Sequence, residues 1–592
     1  MSGFSKWSAV LLGWLLCGLA GQAAGKLSVS ELNYRDVEDN DLEFIELINV
    51  GDASLTLTGA QFTSAIVYTF TAATTLAPGE RLVLARDAAK FTARYGSTGI
   101  RLGSGSFTGR FADEGETVTV VSAASVPLLS FTYSPSGRWP SRPAGLGSTL
   151  ECVDPTGNLD DPTNWRASSE WMGSPGQAGA GPQRVVAINE VLAHTDPPLE
   201  DAIELMNLTD QPVNLGGWYL SNTRSNPKKF RIPNGTILPA RGFLVFYEQA
   251  GTGRAYGFNG SGTGNAPDFT LSAAYGDEVV LMSADSAGNL KFWMDTVSFE
   301  ATINGASMGR YPDGTGDLTT LSKGSFGTLV TADLPAIYLS VFREGKGASN
   351  AIPQVGPIVF SRIQYHPLDG QDEYLELQNN WTQAVALYDP AYPTNTWRLR
   401  DGVDFDLPTG IILEAGARLM VVPIDPAVFR AKYSIAANIP IYGPWTNSLN
   451  NAGERVALYF PDAPQGPDRN DAGFVPYVVA EEVEYSPQAP WPTAADGTGA
   501  ALVRKGLTLF AGDPTSWEAE ILTPVEPPTL TIAPLPAGVR LSFLTELGRT
   551  YRLERQPALG GTWTDLGIVP ATGAVVQVDL GSTPGFFRVV VE

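Results

Sequence analysis

Histidine and cysteine are nearly missing from this chain, with two of each among 592 residues. Cys17 falls in an N-terminal leader, which leaves Cys152 alone and no intrachain disulfide to form. With His194 and His366 as the only imidazoles, histidine-based hydrolysis, zinc sites and two-metal nucleases are nearly excluded. Charge is scarce at 17% and unbalanced: 39 Lys and Arg face 62 Asp and Glu, a net of −23. A nucleic-acid surface needs clustered Lys and Arg to displace counterions, so the balance argues against one. It favours solubility and, weakly, cation binding. Beyond the leader no apolar run reaches the roughly 18 residues of a membrane span, so no transmembrane segment is expected in the mature chain.

What is present points to β structure. Hydrophobic residues make up 43% of the chain, enough for several packed cores. The 63 Gly and 44 Pro with so few charges describe many short strands joined by turns. Residues 1–25 read as a secretory signal peptide: Lys6 is its one charge, residues 9–20 are apolar, and Gly21-Gln22-Ala23-Ala24 offers small residues for cleavage. A lipoprotein box at Cys17 is disfavoured, because the bulky Leu16 stands where a small residue is needed. The expected location is secreted, extracellular or at the cell surface.

Internal repetition organises the rest. One strand pattern occurs three times, as Glu43-Phe44-Ile45-Glu46-Leu47, Asp201-Ala202-Ile203-Glu204-Leu205 and Glu373-Tyr374-Leu375-Glu376-Leu377. Asn49, Asn207 and Asn379 follow three positions after the second acid. Period-two alternation puts Ile45/Leu47, Ile203/Leu205 and Leu375/Leu377 on one buried face and Glu46, Glu204 and Glu376 on the other. Each copy continues through a turn into a strand, at Leu82-Val83-Leu84, Phe243-Leu244-Val245 and Leu419-Met420-Val421. The ends of the first and third copies match without a gap: Trp139-Pro140, Gly147, Leu150, Asp161-Pro162-Thr163 and Trp165 against Trp491-Pro492, Gly499, Leu502, Asp513-Pro514-Thr515 and Trp517. Those eight identities fall within 27 columns, where composition alone gives roughly one or two. Helical signals are short and local: Asp425-Pro426 caps Phe429 and Tyr433, and Asp87 precedes Phe91 and Tyr95 at the same spacing.

The acid-Phe-Ile-Glu-Leu-x-Asn string, the Leu-x-Gly-Trp-x-Leu string from Leu215 to Leu220, and the Pro-Gly turn into a strand resemble the lamin tail domain. The resemblance implies immunoglobulin-like β-sandwiches, which secreted bacterial proteins often carry in several copies. It covers residues 27–178, 184–330 and 355–522, and is looser in the first, where Ala60 replaces the Trp. Residues 331–354 read as a linker and 527–592 as a small C-terminal β-sandwich of fibronectin type or similar, with no apolar anchor or basic tail after it. The expected fold is therefore all-β, with three tandem sandwiches and a smaller fourth.

The chemistry-bearing candidates weigh toward structure. Gly305-Ala306-Ser307-Met308-Gly309 satisfies a Gly-x-Ser-x-Gly elbow, but Pro312 and Gly314 follow where the elbow needs a helix. His194 and His366 each lie ten residues before a recurring acid, with Arg35 the nearest equivalent in the first copy, so a loop-donor role is expected. Glu46, Glu204 and Glu376 recur once per copy, which points to architecture before a carboxylate mechanism or a ligand. The loop Asp36-Val37-Glu38-Asp39-Asn40-Asp41 could hold calcium but lacks the EF-hand order, with Leu47 at the twelfth position. Asn259-Gly260-Ser261-Gly262-Thr263-Gly264-Asn265 reads as a flexible loop, lacking the Lys and helix of a phosphate cradle. Trp139 and Trp491 could stack on sugar rings, though a core plug is the simpler reading. No residue is assigned a catalytic, cofactor-binding or metal-ligating role. The expected function is a non-catalytic scaffold binding an extracellular protein or glycan; the alternatives are a calcium- or glycan-binding adhesin and a carboxylate-based hydrolase.

Overall fold

The computed structural model describes residues 24–195, 200–248, 257–259, 269–326, 347–467, 469–521, 529–545, 551–558, 561–570, 574–581 and 584–591. Residues 1–23 of the expected leader, 260–265 of the Gly/Ser tract and 331–346 of the expected linker lie outside them. The chain is nearly all β, with 40% of residues in strands and 6% in helix.

Three units are built on one plan. In the first, a five-stranded sheet runs Trp165–Ala167, Leu150–Cys152, Leu27–Asn33, Phe44–Asn49, Arg81–Ala85, and faces a sheet of Pro127–Tyr133, Glu116–Val121 and Gln61–Phe62. In the second, Phe243–Tyr247, Ala202–Asn207, Val186–Leu192, Met308–Tyr311 and Asp317–Thr320 face Phe230–Arg231, Tyr219–Ser221, Asp277–Ala284 and Leu290–Phe299. The third repeats the central order, Arg418–Val421, Tyr374–Asn379, Ile358–Gln364, Ala500–Arg504, Trp517–Ile521, opposite Phe405–Asp406, Arg398–Asp401, Glu454–Pro461 and Tyr477–Tyr485. Ile45 and Leu47, Ile203 and Leu205, and Leu375 and Leu377 point between the two sheets and are wholly buried. Burying such side chains stabilises by about 1.5–3 kcal/mol each.

The opposite face of each first sheet is also covered. In the first unit the helix Ala88–Tyr95, capped by Asp87 on two backbone amides, lays Phe91 against Phe44. In the third, Asp425 caps Pro426–Tyr433 in the same way, and Phe429 meets Tyr374. Trp165 and Trp517 plug the unit ends, each donating its indole N–H to a carbonyl six residues back, Leu159 or Ala511, at 2.8 Å. Trp139 and Trp491 pack on them at 6.0 and 6.3 Å between centroids, as core plugs. Residues beyond 528 add two three-stranded sheets around Leu541, Phe543, Tyr551 and Leu553.

Adjacent units touch. Trp171 of the first lies 5.7 Å from Trp293 of the second, and Trp171 N donates to Lys291 O at 2.8 Å. The second meets the third through Tyr275 stacked on Phe474 and through the ion pair of Glu300 with Arg455.

Candidate functional site

The recurring acids do not converge. Each is held inside its own unit by the same local device. The first strand carries a bulge where its register against the second slips, between Val29 and Glu31, Ile188 and Glu190, and Phe360 and Arg362. The extra residue turns a short polar side chain onto the acid. Ser30 Oγ donates to Glu46 Oε1 at 2.6 Å, Asn189 Nδ2 to Glu204 Oε1 at 2.8 Å, and Ser361 Oγ to Glu376 Oε1 at 2.8 Å. Directly across the strand pair stand Glu31, Glu190 and Arg362.

Further partners complete each cluster. Glu46 accepts from Gly176 N and pairs with Arg81 Nε at 3.0 Å, while Glu31 accepts from Thr149 Oγ1 at 2.5 Å and Ser174 N at 2.9 Å. Glu204 accepts from Ala348 N at 3.0 Å, so residues 347–354, at the end of the stretch read as a linker, begin docked on the second unit. Burial, with the adjacent Glu46 charge adding, pushes the Glu31 carboxyl up to about 8. Burial does the same to Glu204, also to about 8, with Glu190 adding to it. In the third unit the arginines Arg362 and Arg418 supply the neutralising charge, at 3.8 and 3.5 Å from Glu376.

The recurring asparagines are clasps. Asn207 Nδ2 reaches Gln211 O, Leu238 O and Pro239 O at 2.8 to 3.2 Å, and Asn49 and Asn379 make the equivalent bonds to the turn that leads into the next strand. The first acid of each motif also spans elements: Glu43 accepts from Phe111 N, Asp201 from Leu271 N and Glu373 from Leu449 N.

The open chemistry lies where the second and third units meet. A cleft of about 430 Å³ has apolar walls, with Phe299, Met308 and Leu318 on one side and Trp397, Phe460 and Phe510 on the other. At its rim Arg455 gathers three carboxylates: Glu482 at 2.6 Å, Asp401 at 2.6 Å and Glu300 at 3.2 Å. Burial holds the Glu482 carboxyl above its ordinary value despite Arg455. Glu481, also on the wall, is locked to the buried Arg504 at 3.0 Å. No sequence motif marked this cleft, because it exists only between two units.

Residues 20–126 and 180–301 match the model of the family described as the Lamin Tail Domain. Over those two stretches the chain carries lamin tail domains. The first lamin tail domain is matched although Ala60 stands where the motif has Trp; the third unit lies outside the matched stretches. No curated protein matches the chain. Among solved structures, a DUF4876 family protein from Bacteroides thetaiotaomicron VPI-5482 is similar at 11% identity with a TM-score of 0.17, over 57% of this chain and 92% of that one. At that score the sheets themselves carry the fold argument.

The remaining candidates sit inside the frame of the lamin tail domains and the third unit. Ser307 is buried in the second unit, where its Oγ donates to Glu190, and Met308 opens a strand where an elbow needs a helix. His194 Nδ1 contacts Thr302 O at 2.7 Å, and His366 Nδ1 contacts Asp496 Oδ1 at 2.5 Å. Arg35 packs on Gly145, as His366 packs on Gly497 of the third unit, and His366 O and His194 O accept from Gly497 N and Gly305 N, so the three are loop residues at one place in the plan. The acidic loop of the first lamin tail domain is tied to its helix: Lys90 pairs with Asp39 and Asp41, and Arg94 with Asp36 and Glu38, all within 2.8 Å. Among the described residues no group of three or more His, Cys, Asp or Glu is placed to hold a metal ion. Cys152 is buried, and burial pushes its thiol up to about 12.

Proposed function

We propose that this chain is a secreted or cell-surface, non-catalytic scaffold whose tandem β-sandwiches present a binding surface at the cleft between the second and third units. The observation that supports it most is the engagement of the recurring acids and asparagines. Each is bonded into its own unit, in a position that holds strands and turns together, and none faces the cleft. A repeated side chain buried and bonded inside its own unit is not presented to a substrate. We read residues 355–522 as a further lamin tail domain, because their sheet order, bulge, acid and asparagine reproduce those of the matched stretches. An experimental structure with Tyr374–Asn379 paired to other neighbours would remove that reading.

The test is direct. Purified mature protein is incubated with polysaccharides, phosphodiesters and DNA, and no turnover is expected; measurable turnover overturns the non-catalytic reading. Export rests on the leader, so N-terminal sequencing of protein recovered outside the cells should show a start near residue 25. An intact Met1 would remove it.

A further inference from the structure

The cleft between the second and third units looks onto strand edges. Leu290–Phe299, Asp317–Thr320 and Tyr477–Tyr485 each stand last in their sheets. The wall takes consecutive residues from them and their ends: 298–301, 318–320 and 478–482. A sheet face contributes every second residue, because alternate side chains point to opposite sides. Consecutive residues therefore mean that backbone edge, not face, borders the space. Edge strands present N–H and C=O groups that template pairing with another chain. The chain itself already pairs parts of these edges, where Ala301 bridges Val478 in parallel register, Thr320 O accepts from Gln354 N, and Phe292, farther along its strand, bridges Glu170.

The side chains around this edge state what a partner should carry. The walls named above are aromatic and aliphatic, suited to apolar side chains from one face of an extended segment. The rim is acidic. Glu300, Asp401 and Glu482 surround Arg455, and Asp317 and Glu484 line the adjoining recess. Arg310, also in that recess, shares Asp295 with Arg184, at 3.1 and 3.4 Å. Five carboxylates against Arg455, which pairs with three of them, and Arg310 leave the rim acidic, which repels an anionic partner and draws a basic one.

We propose that this cleft binds an extended, basic segment of a partner protein by strand addition. The segment's main chain pairs with the exposed edge, its apolar side chains enter between Phe299 and Trp397, and its Lys or Arg side chains meet the acids of the rim. The proposal rests on the cleft being the binding surface assigned above, and goes further in naming the partner's chemistry.

The probe is a fluorescein-labelled, eight-residue synthetic peptide alternating valine or leucine with lysine, followed by polarisation on the mature full chain in 150 mM NaCl. Two comparators replace the lysines by glutamate, or N-methylate alternate backbone amides. Two protein variants are read beside them: Ala480→Trp, which fills the cleft from its wall, and Asp317→Lys, an exposed reversal at the rim that leaves the core alone. The lysine peptide should bind. The glutamate peptide, the N-methylated peptide and Ala480→Trp should each weaken binding tenfold or more, and Asp317→Lys threefold or more. Equal binding by the N-methylated peptide overturns strand addition, and equal binding by the glutamate peptide overturns the acidic rim. If Ala480→Trp lowers the melting temperature and cannot be read, Asp317→Lys decides alone. Failure of every peptide overturns the proposal; a glycan ligand lost in Ala480→Trp would then leave the cleft reading standing, whereas turnover would remove the scaffold reading itself.

Discussion

Glu190 and Glu204 share one hydroxyl. Ser325 Oγ is in hydrogen-bond contact with Glu190 Oε2 and lies 2.8 Å from Glu204 Oε2. A serine has a single O–H to donate, and Glu190 already receives Ser307 Oγ and Ser325 N. Two contacts to carboxyl oxygens are satisfied together only when one carboxyl is itself protonated and donates back. The pair therefore stores a proton, in the place where the third unit puts Arg362.

That proton makes stability depend on pH with a definite sign. The folded Glu204 titrates at about 8, above its ordinary 4.5, so the native state binds more protons across this window. The stability that this carboxyl contributes is full below about pH 4.5 and is lost as pH rises through about 8. Glu31, also pushed to about 8, acts in the same direction. The melting temperature of the wild type should fall between pH 5 and pH 9, and Glu204→Gln, which stays neutral and keeps donors, should flatten part of that fall. Adding Glu31→Gln should flatten more. Melting temperatures that do not respond to pH would remove the shared proton.

Asn207→Ala tests the clasp. Removing the amide leaves the carbonyls of Gln211, Leu238 and Pro239 and the amide of Thr209 short of a partner in a buried turn. Unsatisfied buried groups cost about 1–3 kcal/mol. Urea unfolding should shift by that amount, with an unchanged slope. A shift within error would mean that water takes the place of the amide.

Much of this architecture was legible from residue order, and the gaps have physical causes. Alternation placed Ile45 and Leu47 opposite Glu46, and both short helices were visible from Asp87 and Asp425, whose side chains cap them. The burial of the acid's own face was not legible, because the covering comes from far along the chain: Gly176 for Glu46 and Ala348 for Glu204. The bulge residues Ser30, Asn189 and Ser361 left only a faint signal, three short polar side chains inside apolar strands. Their neighbours Glu31, Glu190 and Arg362 hid behind a change of charge, since an alignment by identity sees no likeness between Glu and Arg. The inter-unit cleft left no local signal, being made by edges that meet only after the units fold.

Arg504 and Glu481 give a third test. The guanidinium is wholly buried, sits 3.0 Å from the carboxylate, and also donates to Phe360 O and Leu509 O. Taking one partner from a buried pair leaves an uncompensated charge, at about 3–5 kcal/mol. Arg504→Met should destabilise the third unit by that order in a denaturant titration. Glu481→Leu added to it should recover part of the loss, because an apolar pair no longer carries a buried charge, while Phe360 N loses the acceptor it has in Glu481. A double variant as unstable as the single would show that the carbonyl bonds of Arg504, not the charge pair, hold the site.

The acidic loop of the first unit separates a calcium site from an ion-paired one. Asp36 Oδ1 accepts the amides of Glu38 and Asp39 at 2.9 and 3.1 Å, and its Oδ2 takes Arg94 at 2.8 Å. Asp39 and Asp41 share the ammonium of Lys90, which both carboxylates hold above its ordinary pKa. A calcium ion needs six to eight oxygen ligands and would have to displace both side-chain cations before reaching them. Millimolar calcium should leave the melting temperature of the wild type unchanged, since a ligand stabilises only by binding the native state. Arg94→Ala should destabilise by about 1.5–3 kcal/mol, the value of hydrogen bonds to a charged partner, and calcium should recover part of that loss if the freed carboxylates can close on it. A rise of several degrees with calcium in the wild type would mean that the lysine and arginine hold the place of a metal, and the loop would then be a cation site after all.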